Sequence, residues 1–403
     1  MKPLDDLLVL DLSRVLSGPY CTMMLADMGA RVIKVEQPGH GDDTRAFGPP
    51  FLEGESTYFM SVNRNKESMT LNLKSERARD IIWRLIERAD VLVENFRPGV
   101  MERLGFSYEA CHARNPRLIY CAISGFGLTG LAEFVRKPGY DLVIQGMGGL
   151  QSTTGDTLTP PYKSGAPIAD LLSGMLAAQG ILLALIARGR TGRGQQVDIS
   201  MLEGQVSFLT FLSGIYFATG RAPGRVGNVH PSIAPYATYE AQDGWLNLAV
   251  GNDGLFGALC DALKLEGLKS DPRFGSNALR VTHRAALDEL LVPLLKREPV
   301  SAWIAAFDRA GIPCGPVLSI AEVLEHPQVK AREGVVEVQH PTVGPLRLTG
   351  VPVKLSETPG AVETAPPTLG QHTWQILTHE LGLGEAELEA LRQEGGLGVQ
   401  TRD

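Results

Sequence analysis

Short apolar runs alternate along the first half of the chain with stretches whose apolar residues recur every three or four positions. LLVLDL (7–12) is such a run, and a helical pattern follows from about Gly18 to Asp27. Gly29 stops that helix, and RVIKVE (31–36) reads as a second strand. The alternation continues through SMTLNL (68–73), ERARDIIWRLIERA (76–89), DVLVENF (90–96), a helix around 99–114 and LIYCAIS (118–124). Strands of this kind separated by helices predict an α/β protein with a parallel sheet covered on both faces.

Gly165–Ala187 reads GAPIADLLSGMLAAQGILLALIA and is the one stretch that invites a membrane reading. It carries Asp170, Ser173 and Gln179 together with Gly174 and Gly180, and its uninterrupted apolar run is too short to span. A buried helix is predicted instead, followed by the basic turn RGRTGRGQ (188–195) and the strand QQVDIS (195–200). From RAPGRVGNVHPSIAP (221–235) onward the pattern changes to mixed α+β, with DGWLNLAVG (243–251) and THRAALDELLVPLLKRE (282–298). Short strands at 335–340 and 346–350, a Pro-rich connector and terminal helices close the chain. The expected organisation is a large domain over 1–220, a smaller α+β domain over 221–329, and a return to the large domain over 330–403.

The chain has 403 residues, which exceeds what one hydrophobic core usually organises. Its 38 Lys and Arg against 45 Asp and Glu give a net charge of -7, which argues against nucleic acid as a partner. Five cysteines without C-x-x-C spacing suggest neither a disulfide framework nor a zinc site, and they fit a reducing cytoplasm. The eight histidines are dispersed, so no metal centre is expected.

SGFGLTG (124–130) contains G-x-G-x-x-G after a predicted strand. Only seven residues separate it from Pro138-Gly139, too few for the phosphate-capping helix of a dinucleotide fold. A turn that needs close backbone approach is the expectation there. Basic and amide residues recur near strand ends: Arg45, Arg64, Lys66, Lys74, Asn95, Arg97, Arg103 and Lys137, with Phe96 among them. At the carboxyl ends of a parallel sheet such cations could neutralise phosphates while Phe96 faces a ring. Pro167 places Asp170 in the first turn of its helix, where the positive end of the helix dipole favours the ionised carboxylate. Spacing leaves two readings of Asp170 open, a helix-end charge or a nucleophile whose small neighbours Gly165, Ala166, Ala169 and Gly174 admit a bulky substrate.

The ordered series LDLSRVLSGPYCTMMLADMGARVIKVEQPGHGDDTR (10–45), VNRNKESMTLNLK (62–74), VENFRPG (93–99), GYD (139–141), GAPIAD (165–170) and TGRGQQVDISML (191–202) resembles the class III CoA-transferase family. That family includes formyl-CoA and carnitine CoA-transferases and α-methylacyl-CoA racemase. GDDTRAFGPPF (41–51) and HPTVG (340–344) are most similar to its succinyl-CoA:glutarate branch. The resemblance implies a Rossmann-like large domain completed by both chain ends, a small inserted domain, and an interlocked-ring homodimer with no membrane or nucleic-acid partner. It implies CoA transfer from an acyl-CoA to a carboxylic acid through anhydride and thioester intermediates on Asp170, with no prosthetic group or metal. By matching residues, it implies CoA contacts from Val15, Leu16, Ser17, Leu71, Lys74, Asn95, Phe96, Arg97, Arg103, Lys137 and Tyr140. Arg14 and Leu16 stand where the formyl-CoA enzyme has His and Gln, which speaks against oxalate as acceptor and suits a longer dicarboxylate. The racemase alternative needs a His where this chain has Tyr140, a poor base at neutral pH.

Overall fold

A computed structural model describes residues 1–398. Six strands form one parallel sheet: β1 (Leu8–Asp11), β2 (Arg31–Glu36), β3 (Lys66–Thr70), β4 (Val91–Glu94), β5 (Ile119–Ser124) and β6 (Gln196–Ser200). Their order is β3-β2-β1-β4-β5-β6, so the direction of winding reverses between β1 and β4. A crevice opens at the carboxyl ends of the strands at such a reversal.

The residue alternation explains why both faces are covered. Leu10, Ile33, Met69, Leu92 and Tyr120 point into one core, and Val9, Val32, Val91, Val93 and Cys121 point into the other. The first core is closed by helix α2 (Glu76–Ile86) and by the returning C-terminal segment, whose Ile376, Leu377 and Leu381 pack with Ile82 and Leu85. The second is closed by α1 (Ser17–Asp27) and by the long helix α4 (Ile168–Thr191), which is preceded by the short α3 (Asp141–Met147). The expected helix over 99–114 is two short ones. Gly105 ends the first in a left-handed conformation, φ +90°, and the Ser107 hydroxyl caps the second.

The chain divides into two compact units. One comprises Met1–Leu150, Ser164–Phe211 and the chain from Pro327 onward, and holds the parallel sheet. The other comprises Gln151–Lys163 and Leu212–His326, and so begins nine residues before 221 and takes in an earlier excursion. It has its own core around Phe256, Phe274, Leu291 and Phe307, beneath an antiparallel sheet of Tyr236–Glu240, Trp245–Ala249 and Cys314–Pro316.

Candidate active site

The loop that leaves β1 is held in a conformation its residues would not choose alone. Val15 has φ +68°, a left-handed backbone that β-branched residues disfavour. Two clamps hold it there. Asn95, at the end of β4, accepts a hydrogen bond from the Arg14 amide at 2.8 Å and donates to the Arg14 carbonyl at 2.6 Å. Asp42 accepts from the Val15 amide at 3.2 and 3.3 Å, and is itself fixed by Lys34 at 2.9 Å with both side chains fully buried. Strands β1, β2 and β4 therefore set this loop together.

Gly125 and Gly139 meet face to face beside the loop. A Cβ on Gly125 would lie 2.7 Å from the Gly139 Cα, so the close approach expected of the SGFGLTG turn is made against the chain entering α3. On the other side, Gly174 lets α4 pack on the first turn of α1, where a Cβ would come within 2.6 Å of the Ser17 carbonyl oxygen. These contacts bring the start of α4 up to the mouth of the crevice.

The resulting cleft gathers Arg14, Val15, Ser17, Asn95, Phe96, Arg97, Lys137, Tyr140 and Asp170. Asp170 occupies the first turn of α4 as expected, half-buried. Its pKa shift runs against the direction expected from the helix end. Burial, followed by the negative charge of Asp141, pushes its pKa up to about 7. Asp141 sits against that turn, its Oδ1 accepting from the Ala169 amide at 2.9 Å. No donor among the described residues bonds the Asp170 carboxylate, which leaves it available to an incoming electrophile. Its charge in turn contributes, after burial, to pushing Tyr58 up to about 12.

A second recess adjoins the cleft and shares Arg14 and Phe96 with it, adding Leu71 and Lys74. The Arg14 guanidinium lies 4.9 Å over the Phe96 ring and 3.6 Å from Asp43. Two of the expected CoA contacts are not brought in. The Leu16 side chain turns into a small apolar cluster with Met23 and Val62, and Arg103 is exposed on a short helix outside both recesses.

Three cations from the strand-end set are structural. Lys66 is fully buried against Asp11 at 3.0 Å, Arg64 is buried in a fork with Asp27 at 2.7 and 3.0 Å, and Arg45 pairs with Glu36 at 2.7 Å while stacking on Phe59. They are neutralised inside the protein, so they are not phosphate ligands. Of the small residues beside Asp170, Ala169 and Gly174 serve packing, buried against the second core and α1, while Gly165 and Ala166 are exposed and leave that side open. Sequence reasoning passed over Asp141 and Gln145, although Asp141 stands in the GYD motif. No group of His, Cys, Asp and Glu among the described residues has metal-binding geometry.

The model of CoA-transferase family III matches residues 4–373, and the chain belongs to that family. It is similar to acetyl-CoA:oxalate CoA-transferase of Acetobacter aceti, 46% identical over 89% of this chain and 92% of the relative. It is also similar to succinyl-CoA:glutarate CoA-transferase of Mus musculus, 40% identical over 98% of this chain and 90% of that one. Among solved structures, a CAIB/BAIF family protein from Brucella suis superposes with a TM-score of 0.84 at 40% identity, covering 94% of this chain and 99% of that one. The protein is therefore a CoA-transferase that uses an acyl-CoA and a carboxylic acid as substrates.

Proposed function

We propose that Asp170 is the nucleophile and carrier of this CoA transfer. The observation that carries the reading is the position of its carboxylate, unbonded and half-buried, in a cleft that also presents Arg14, Arg97 and Lys137. A carboxylate oxygen attacks the thioester carbonyl, the C–S bond breaks, and CoA leaves as thiolate while Asp170 becomes one half of a mixed anhydride. The thiolate then attacks the aspartyl carbonyl, releasing the donor acid and leaving an aspartyl-CoA thioester. The acceptor carboxylate displaces CoA to form a second anhydride. Return of the thiolate to the acceptor carbonyl releases the new acyl-CoA and regenerates the Asp170 carboxylate. Each step conserves an activated acyl bond, so the cycle needs no prosthetic group. Phe96, Arg97, Lys74 and Lys137 hold the CoA, the cations against its phosphates and the ring against its base or thiol arm.

The acceptor is a dicarboxylate, and Arg14 takes its far carboxylate in place of Asp43. The relatives above are named for oxalate and glutarate, which share two carboxylates and differ in length. The relative named for oxalate, at 46% identity, removes the force of the argument against oxalate, and the length preference of this enzyme rests on how far Arg14 reaches.

A second copy of the chain covers the outward face of α4. Met175, Leu183 and Ile186 are exposed there, and Leu142, Val206 and Phe208 on the neighbouring segments are exposed as well, an apolar surface of the kind that marks an interaction site. The small residues of the opposite face bury α4 against the sheet, which supports a protein partner over a bilayer although the helix is long and apolar enough to cross one. The five cysteines are all free, which supports a reducing cytoplasm as the place where such a dimer works.

The test of the covalent reading is mass spectrometry of the Asp170 peptide after incubation with succinyl-CoA or acetyl-CoA and a reductive trap. Labelling at Asp170 that is absent in Asp170→Asn is expected. An unlabelled peptide from enzyme that is turning over the same acyl-CoA would sink it.

A further inference from the structure

Helix α4 begins without a cap of its own. Its first boundary residue is Pro167, which has no side chain that can accept a hydrogen bond. The donor that a capping side chain would normally satisfy, the Ala169 amide, is instead taken by Asp141 from 28 residues earlier. The other oxygen of Asp141 accepts from Gln145 Nε2 at 2.7 Å, one turn along α3. Gln145 is fully buried, and its Oε1 accepts from the Ser164 amide at 2.8 Å, so the same side chain also fixes the segment leading into α4. Ser173 closes the turn from within by donating to the Ala169 carbonyl at 2.6 Å.

We propose that Asp141 is a positioning residue for the transfer reaction: it caps α4 from outside and keeps a fixed negative charge beside the Asp170 carboxylate. This rests on Asp170 being the nucleophile. The charge has a direction that simple capping would lack. In the resting enzyme two carboxylates lie at one helix end, and like charges so placed oppose each other. When Asp170 becomes an anhydride or a thioester, its charge is gone and the repulsion with it. Asp141 therefore destabilises the free carboxylate relative to the covalent intermediates, and keeps that carboxylate basic enough to attack.

The other charged and titratable groups facing Asp170 are Tyr58 from the helix Thr57–Ser61, Tyr140 ahead of α3, and Arg14, Asp43, Arg97 and Lys137 across the cleft. The three cations lower the pKa of a neighbouring carboxylate, whereas Asp43 raises it. The raised value of Asp170 comes first from burial and then from the charge of Asp141.

The decisive variant exchanges the two partners, Asp141→Asn with Gln145→Glu. The introduced amide can still accept from Ala169 and can donate to the introduced carboxylate, which can accept from Ser164. Every hydrogen bond is kept, and the charge moves one turn away from Asp170. The readout is the pH profile of single-turnover labelling of the Asp170 peptide, compared with wild type on the same acyl-CoA so that substrate ionisation cancels. The expected result is an acid limb shifted down by about one pH unit, a several-fold smaller fraction of enzyme held covalently, and a lower melting temperature, because a carboxylate at the fully buried Gln145 position costs more than an amide. An acid limb and a loaded fraction equal to wild type in a folded exchange variant would overturn the proposal. Absence of labelling in the wild type would instead fail the nucleophile reading itself, before the variant is compared. Asp141→Ala, which loses both cap and charge, should label more slowly than the exchange variant at every pH; equal rates would remove the capping half of the proposal.

Discussion

Two groups of buried acids lie within the same sheet ends and have opposite fates. Beneath α1, Asp11 is fully buried yet held well below the usual carboxylate range. Burial alone would raise it, but Lys66, Lys34 and the hydroxyls of Ser13 and Thr22 outweigh that. In the cleft, Asp170 is less buried and is pushed up by that burial and then by the charge of Asp141, because no donor among the described residues bonds it and offsets them. Burial is therefore not what separates a structural carboxylate from a reactive one. Compensation is. An acid whose lone pairs are filled is fixed in its charge, and an acid left unfilled can exchange protons or attack carbon.

The largest effect that can break this contrast is on turnover. Asp170→Asn should lower kcat by at least ~10⁴-fold, as removal of a covalent nucleophile does. Steady-state CoA exchange between two acids measures it, and a loss below tenfold would place Asp170 with the structural acids. The same variant carries a stability signature of definite sign. A carboxyl whose folded pKa is raised is penalised once the pH exceeds its unfolded value of ~3.9, and the penalty grows until the folded value of about 7 is passed. Asp170→Asn should thus be more stable to unfolding than wild type at pH 8, by ~1–3 kcal/mol after screening at this half-buried site, with the gain fading toward pH 4.

Next in size is the opposite region. Lys66→Met takes from Asp11 its buried ion-pair partner and leaves it the Ser13 and Thr22 hydroxyls and the Lys34 charge, and it should cost about 3–5 kcal/mol of folding free energy in a denaturant titration. Activity per folded molecule should stay near wild type. The pH sign is reversed here. The depressed pKa of Asp11 contributes stability that is present above ~3.9 and is lost as the pH falls below it. A wild-type protein that did not lose stability on acidification in that range would break the assignment.

How much of this was legible in the sequence follows from interaction range. Strands β1, β2, β4 and β5 were readable as mostly apolar runs, whereas β3 (KESMT) holds one apolar residue and begins two residues before the run at 68–73. The α4 helix was readable from its apolar composition and Pro167, although it continues to Thr191 through residues expected in the basic turn. Asp170 stood out for the same reason, as a charge at the mouth of an apolar segment. Partnership did not show. Lys66 and Asp11 are 55 residues apart, Arg64 and Asp27 are 37 apart, and Asp141 caps a helix that starts 27 residues after it. A lone basic residue near a strand end reads the same whether it faces a phosphate or a buried acid, so Lys66 and Lys137 could not be told apart before the fold paired one of them. The left-handed backbone of Val15 was equally hidden, since the residue type argues against it.

Arg14 sharpens the comparison from the side of the substrate. Its ion pair with Asp43 is long, 3.6 Å, and both side chains are exposed, unlike the filled pairs under α1. A guanidinium so weakly engaged is available to a second carboxylate. Arg14→Gln should raise KM for a dicarboxylate acceptor by about 10–100-fold, the worth of one charge-assisted pair. It should leave a monocarboxylate acceptor of similar length nearly unchanged. Equal losses for both acceptors would reduce Arg14 to a CoA contact or a loop residue.

The smallest expected effect tests whether the clamped loop belongs with the rigid region or with the reactive one. Val15 sits at φ +68° only because Asn95 and the Asp42–Lys34 pair hold its neighbours, and a left-handed backbone costs an L-residue ~1–2 kcal/mol. Val15→Gly removes that strain, but glycine gives back a comparable amount in the unfolded chain, so net stability should move by less than ~1 kcal/mol. Catalysis responds differently. The loop borders the cleft that holds Asp170, and its position is fixed by strain working against the two clamps. With the strain gone the backbone between Arg14 and Ser17 can sample other conformations, and kcat should fall several-fold while the melting temperature stays put. If kcat and melting temperature both held, the strained turn would be incidental to transfer, and the buried pair beneath it would serve folding alone.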